Sequence, residues 1–320
     1  MSRPTVLLAC DFSPRFKALL AGHYTVLGPL TRSAADALPP GAGQAAALIT
    51  KGGLPTDRAL LEALPGLGIV AFFGTGYEGV DLPAAAARGV TVTHSPGANA
   101  ASVADFAMGL VLASARQIVA ADRFVRDGRW GGNSLVSLPA VPGLTDTRLG
   151  IYGYGAIGEK VAARAAAFDM QIAYHSRSPK AGVPYLYKDS PLALAEWADI
   201  FVVAVRADAT NRHTVNRALL AALGPQGHVI NVARGSMVDA DALAEALEQG
   251  TIAGAALDVL ETEPQVPERL LTAPNLILTP HIAYASTSAR DAQEDMVLAN
   301  LAAFFAGQAV PNPVPHQAPV

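Results

Sequence analysis

Short apolar runs alternate with stretches of helical spacing from the start of the chain. Runs over residues 5–9, 46–49, 67–72 and 90–92 read as strands, and segments 15–21, 57–63 and 82–87 repeat their apolar positions at helical intervals. Such alternation predicts a parallel sheet covered by helices. Ser95-Pro96-Gly97 then breaks the pattern. A long helix is predicted from about 101 to 125, with Val103, Phe106, Leu110, Val111 and Ile118 on helical spacing. Small and apolar residues wrap most of its circumference, so it should be buried by its own domain or by a second subunit. Segment 129–146 reads as a loop, with two glycines after Trp130 and prolines at 139 and 142.

A second alternating series begins at Leu149. Its strands are expected over 149–152, 171–174, 200–205, 228–231, 252–257 and 276–278, with helices between them. A last helix runs from about 286 to 306, and the tail from Pro311 is proline-rich. The second series is central: about a hundred residues precede it and about thirty-five follow it. If neither flank is a domain alone, the two must pack together. The expected division is a discontinuous domain of residues 1–98 and 286–320 with 99–285 inserted, the active site lying in the cleft between them.

Composition narrows the classes. At 320 residues two domains are the default, and 51% hydrophobic with 16% charged residues fits a folded chain. A net charge of −4 gives no reason to expect a nucleic-acid partner. The single cysteine, Cys10, rules out an internal disulfide, points to a reducing compartment and leaves no cysteine cluster for a metal. The apolar run before Asp11 is short for a signal peptide, and Asp105 and Arg116 interrupt the apolar region 100–121. A cytoplasmic chain without a membrane partner is expected.

The first chemical signal is the turn Gly153-Tyr154-Gly155-Ala156-Ile157-Gly158, which joins a strand to a helix pattern and then to a second strand. This is a dinucleotide-binding βαβ unit: Gly153 allows the tight turn, Gly155 lets the backbone approach a pyrophosphate, and Gly158 permits close helix–strand packing. The helix N-terminus adds amides and a partial positive charge. At the end of the second strand, where an NAD site usually places Asp or Glu, stand Ser176, Arg177 and Ser178. An arginine suits a 2′-phosphate, so NADPH is the expected cofactor, with NADH weaker. Lys180 and Arg206 add positive charge nearby.

Further polar residues follow apolar strands. Arg234, after Val232 and Ala233, offers a planar fork of donors that matches a carboxylate or a 2-oxo acid; its alternatives are capping a helix or pairing with Asp239 or Asp241. The run from Ala256 to Pro264 carries Asp258 and Glu263, and His281 follows Thr279-Pro280. A histidine with a carboxylate partner makes a general acid near neutral pH, because the anion stabilises the imidazolium. The other six histidines read as surface or structural residues.

Together these pieces resemble the D-isomer-specific 2-hydroxyacid dehydrogenase family over nearly the whole chain. The family's Arg, then Glu before Pro about thirty residues on, then Pro-His about twenty further, is met by Arg234, Glu263 and His281. The resemblance implies a Rossmann-type doubly wound parallel α/β domain inserted into a smaller flavodoxin-like α/β substrate domain, and a homodimer. It implies that Arg234, Glu263 and His281 are catalytic and that Asp258 orients the nicotinamide. Val103, Val205, Arg206, Asn211, Val232, Ala233 and Ala283 would flank the cofactor. Gly74-Thr75-Gly76 resembles the loop, running on through Tyr77-Glu78 to Asp81, whose amides hold the substrate carboxylate. Lys51-Gly52-Gly53 lies where relatives face the substrate. Ser102-Val103-Ala104-Asp105 resembles the start of the family's interdomain helix. Within the family, His175-Ser176-Arg177-Ser178 is most like the NADPH-dependent glyoxylate, hydroxypyruvate and hydroxyphenylpyruvate reductases. Family members often carry Pro where Arg206 stands and Thr where Asn211 stands, which leaves that loop's contacts open.

The implied reaction reduces a small 2-oxo acid to the D-2-hydroxy acid, with His281 as proton donor. The alternatives are an NAD-linked 2-hydroxyacid dehydrogenase of the same fold and a nucleotide-sensing protein like the related corepressors.

Overall fold

The computed structural model describes residues 3–52, 54–77, 79–131 and 138–315. Gly53, Glu78 and His316 lie outside the described residues. The chain divides into two compact units, Met1–Asn99 with Ser286–Val320, and Ala100–Ala285.

The first unit holds a five-stranded sheet of β1 (Thr5–Leu8), β2 (Thr25–Leu27), β3 (Ala45–Lys51), β4 (Ile69–Phe73) and β5 (Thr91–Thr93). All pairs are parallel and the order is β2-β1-β3-β4-β5, the flavodoxin-like arrangement. Helices cover both faces, so β3 and β4 read as continuous apolar runs rather than alternating ones. The helices are α1 (Pro14–His23), α2 (Arg58–Glu62), α3 (Leu82–Ala87) and, from the far end of the chain, α11 (Thr287–Phe305). Ser13 caps α1 and Pro14 opens it. The Ser13 hydroxyl also donates to the buried carboxylate of Glu294 on α11, which Arg15 pairs with as well. Val297 and Leu301 of α11 pack with Val6, Leu8, Phe16 and Leu20. Burying each such side chain fully is worth about 1.5–3 kcal/mol.

The second unit contains α4 (Ala100–Ala115), α5 (Ile118–Arg126) and the strands β6 (Arg148–Tyr152), β7 (Gln171–His175), β8 (Leu186–Tyr187), β9 (Ile200–Val203), β10 (His228–Asn231), β11 (Gly254–Leu257) and β12 (Leu276–Leu278). The connecting helices are α6 (Ala156–Ala166), α7 (Pro191–Trp197), α8 (Arg217–Leu223), α9 (Ala240–Glu248) and α10 (Glu268–Thr272). Strand order is β12-β11-β10-β9-β6-β7-β8, all parallel. This is the Rossmann order with one added strand, and its switch point lies between β6 and β9.

One face of this sheet is covered by α4 and α6, where Ala104, Ala107, Val111, Val161 and Ala165 are fully buried. Small residues there let the helix backbones approach the sheet closely. The single helix expected over 101–125 is in fact two. Gln117 sits in the left-handed region at φ 53°, and α5 leaves α4 at 60°. No Gly or Pro marks this break. Among the described residues no single helix is long and apolar enough to cross a membrane.

Candidate active site

Because the strands of the second unit are parallel, the loops after β6, β7, β9, β10, β11 and β12 emerge at one edge. That edge is where ligands bind in open α/β sheets. The glycine turn follows β6. Gly153 has φ 103°, and a Cβ there would stand 2.5 Å from the backbone of Val205, in the loop after β9. The two loops meet across the switch point at this contact. A Cβ on Gly158 would lie 2.1 Å from the Gly153 carbonyl oxygen, so α6 starts directly on the turn. Gly155 caps α6 without a side-chain acceptor, and a Cβ there meets nothing within 4 Å. The first amides of α6, at Ala156 and Ile157, therefore adjoin open space. Tyr154 turns inward against Tyr174, with ring centroids 4.6 Å apart.

At the end of β7, Ser176 Oγ donates to Ser178 O at 2.7 Å and Tyr187 Oη donates to Ser176 O at 3.2 Å. The Lys180 amide donates to Tyr174 Oη at 2.9 Å. These bonds shape the loop and leave Arg177 exposed at its tip. The facing loop after β9 is shaped by Asn211, whose side chain accepts from the Asp208 amide and donates to Arg206 O. Asp208 is held below the usual carboxylate range chiefly by the Thr210 hydroxyl, with Arg177 among the contributing charges.

Arg234 follows β10 and is half-buried, its Nη1 donating to Ala233 O at 2.7 Å. The fully buried Asn231 sets this turn: it accepts from the Ala233 amide at 3.0 Å and donates to Arg234 O at 2.9 Å. Gly235 is required by packing, since a Cβ there would stand 1.8 Å from the carbonyl carbon of Leu260. The Arg234 turn thus lies in backbone contact with the turn that carries Glu263. Val232 and Ala233 are buried, as are Val103 and Ala283, which share one core cluster with Val232.

Glu263 and His281 meet. His281 Nδ1 lies 2.8 Å from Glu263 Oε2, while Glu263 Oε1 accepts from the Leu260 amide at 2.8 Å. A carboxylate only accepts, so the ring proton on this side belongs to Nδ1 and Nε2 is left for another partner. The ring also meets Tyr284 edge-on, with centroids 5.9 Å apart. His281 itself has φ 53°, a conformation uncommon outside glycine. Asp258 holds it there. This carboxylate is 1% exposed. Its Oδ1 accepts from Thr279 Oγ1 at 2.6 Å and from the Ile282 amide at 3.0 Å, and its Oδ2 accepts from the Ala283 amide at 2.9 Å. Ser102 at the start of α4 donates to Ala283 O at 2.8 Å and ties the same turn to the core.

In the first unit, Lys51 ends β3 and Gly52 follows it, both exposed. The Lys51 ammonium lies 6.0 Å from the centre of the Phe12 ring. Burial raises the Cys10 thiol above its usual value, and Lys51 opposes the rise. Gly74, Thr75 and Gly76 follow β4. His94 Nδ1 donates to Thr75 O at 2.9 Å, and Ser95 N donates to Gly74 O at 2.8 Å. The loop is anchored through its carbonyls.

Sequence reasoning missed Asn231, Gly235 and Thr279 as site-building residues. A polar residue ending an apolar strand and a glycine directly after the arginine were the available signals.

A dinucleotide-binding sheet with an arginine and a carboxylate–histidine pair at its strand ends defines a nicotinamide-dependent oxidoreductase. Residues 108–283 match the family model described as D-isomer specific 2-hydroxyacid dehydrogenase, NAD binding domain. The chain is 38% identical over 310 residues to a hydroxyphenylpyruvate reductase of Plectranthus scutellarioides, covering 97% of this chain and 98% of the relative. It is 40% identical over 258 residues to glyoxylate/hydroxypyruvate reductase A of Arabidopsis thaliana, covering 81% and 82%. Among solved structures it is similar to an NADPH-dependent glyoxylate/hydroxypyruvate reductase of Sinorhizobium meliloti in complex with NADP and malonate. That match has 40% identity and a TM-score of 0.88, covering 98% of this chain and 97% of the other. The chain belongs to the D-isomer-specific 2-hydroxyacid dehydrogenase family.

Proposed function

We propose that this chain reduces a small 2-oxo acid to the D-2-hydroxy acid, taking NADPH in preference to NADH. Glyoxylate and hydroxypyruvate are the first candidates and larger 2-oxo acids the next. The observation that carries this reading is the 2.8 Å contact between Glu263 and His281 at the strand ends of a dinucleotide-binding sheet. The names of the relatives support the substrate class.

The residues present fit the cofactor. The open space at Gly155 and the α6 amides without a side-chain cap suit a pyrophosphate. Ser176, Arg177 and Ser178 replace the acid that a 2′-hydroxyl would call for, and the NADP bound by the Sinorhizobium relative supports the same preference. Val205, Arg206 and Asn211 border the site from the loop after β9, and Asp258 would orient the nicotinamide carboxamide by family likeness. When bound, the dinucleotide supplies the hydride that reduces the keto carbon.

The chain's own residues do the rest. Arg234 binds the substrate carboxylate and polarises the keto oxygen through its planar fork. The amides of Thr75 and Gly76 are further carboxylate ligands by family likeness, with Lys51 and Gly52 as neighbours of the substrate. His281 Nε2 donates a proton to the oxygen as negative charge develops there. Glu263, on Nδ1, fixes the ring and stabilises the imidazolium before transfer. A positioned general acid contributes about 10²–10⁴-fold. His281→Gln should therefore lower kcat with glyoxylate and hydroxypyruvate by about 100-fold or more. Near wild-type NADPH oxidation by that variant would refute the assignment.

A homodimer is also proposed. The helix α5 has no buried residue, with Ile118 51% and Val125 50% exposed and Trp130 beyond it 64% exposed.

A further inference from the structure

A charge cluster that the reaction does not use grips the turn that carries Glu263. Arg212 Nε donates to Glu261 Oε1 at 2.8 Å, its Nη2 lies 3.3 Å from Oε2, and His213 Nε2 donates to Oε2 at 2.9 Å. These bonds hold the Glu261 carboxyl below its usual range, His213 contributing most and Arg212 next. Both donors come from the segment that follows the Asn211-shaped loop. His213 is itself fixed: its amide donates to Ser236 O at 2.8 Å, two residues after Arg234. Ser236 adjoins Gly235, whose missing side chain lets Leu260 and Glu261 press onto the Arg234 turn.

Leu260 and Glu261 are therefore held from two directions, by backbone packing on Gly235 and by the Arg212 and His213 side chains on the Glu261 carboxylate. Glu263 hangs from the same turn through the Leu260 amide and reaches His281 with its other oxygen. The Glu263 and His281 side chains are 37% and 41% exposed, so water competes for both. If the turn relaxed, the carboxylate would swing into solvent and the imidazole would lose its fixed orientation. Ion pairs this exposed add little to global stability. Their effect falls on the position of what they hold.

We propose that Glu261, gripped by Arg212 and His213, is a positioning residue that holds the 260–263 turn and thereby keeps Glu263 on His281. The inference rests on the reading of His281 as the proton donor.

Two readouts on the full chain test it. An imidazole N–H shared with a carboxylate gives a far-downfield proton resonance, which is assigned to His281 by its loss in His281→Gln and needs no cofactor to be seen. In Glu261→Ala this resonance should broaden or vanish through exchange with water, and kcat should fall about tenfold or more while the melting temperature stays close to wild type. Arg212→Met combined with His213→Asn should give the same result with the carboxylate still in place, and it decides the matter if Glu261→Ala does not fold. A folded variant that keeps both the resonance and wild-type kcat overturns the proposal. Full turnover by His281→Gln would instead overturn the reading beneath it, so the two failures are distinguishable.

Discussion

Asp258→Asn is the sharpest probe of how the site is held. The carboxylate is 1% exposed and accepts three hydrogen bonds, two on Oδ1 and one on Oδ2. Asparagine keeps the shape and changes only the chemistry. With its oxygen in the place of Oδ1, the bonds from Thr279 and Ile282 survive, but the amide NH₂ faces the Ala283 N–H, donor against donor. The opposite orientation loses the other two bonds. At least one buried donor is left without an acceptor, at about 1–3 kcal/mol, and the surviving bonds lose their charge assistance. A total of about 2–4 kcal/mol follows, a fall in melting temperature of roughly 4–16 °C for a unit of this size. Activity should fall further than the folded fraction does. The turn that Asp258 ties down holds His281 at φ 53°, a conformation that costs of order 1–3 kcal/mol and persists only where the surroundings impose it. Calorimetry gives the first number, and kcat measured well below the variant's melting temperature gives the second. A melting temperature and kcat both equal to wild type would refute the reasoning.

Three further outcomes are expected. Arg177→Ala should lower the preference for NADPH over NADH by about 10–100-fold, from the loss of charge-assisted bonds of about 1.5–3 kcal/mol to a phosphate; an unchanged ratio of kcat/KM for the two cofactors would dispose of the 2′-phosphate role. Burial raises the Asp199 carboxyl, but the hydrogen bonds and charge of Arg148 outweigh it and leave the group below its usual value of 3.8. The stability this pair provides is therefore present above that value and lost as pH falls through the lower folded value. Arg148→Met should accordingly unfold at a higher pH on acid titration followed by circular dichroism, and coincident titrations would count against the pairing. Light scattering should find twice the 33.0 kDa chain mass for the wild type and the single mass for Ile118→Lys combined with Val125→Lys; a monomeric wild type would end the dimer proposal.

What could be read in advance followed a physical line. Arg234 and His281 stood out because each comes within a few residues of the end of an apolar strand, and the strand ends of a parallel sheet share one edge; Glu263 stood out by its place before Pro264 in the family pattern. The glycine turn stood out because its constraints are local: Gly153 and Gly158 answer to atoms of the same βαβ unit or its neighbouring strand. The strands β2 and β8, of three and two residues, were missed because they are edge strands whose pairing is supplied by β1 and β7 rather than by their own pattern. The break at Gln117 was invisible because both flanking helices keep helical spacing and no breaker residue stands between them.

The support of the site was illegible for a different reason. Gly235 owes its identity to Leu260, and Asp258 owes its burial to a turn that lies more than twenty residues on. Such demands arise only when distant segments pack. Three local preferences are broken around the Glu263–His281 pair: His281 and His213 both adopt positive φ, and Gly235 tolerates backbone where a side chain would normally stand. Each break lies on a turn that bears Arg234 or His281, or on the segment that grips the Glu263 turn. Chains violate local rules where a site must be held against them, and compensate elsewhere. Here the compensation is identifiable: the buried carboxylate of Asp258 holds one turn, Asn231 another, and Glu261 with Arg212 and His213 is the proposed hold on the third. The Glu263–His281 pair stays partly exposed, while the bonds that fix its turns are made by neighbouring residues.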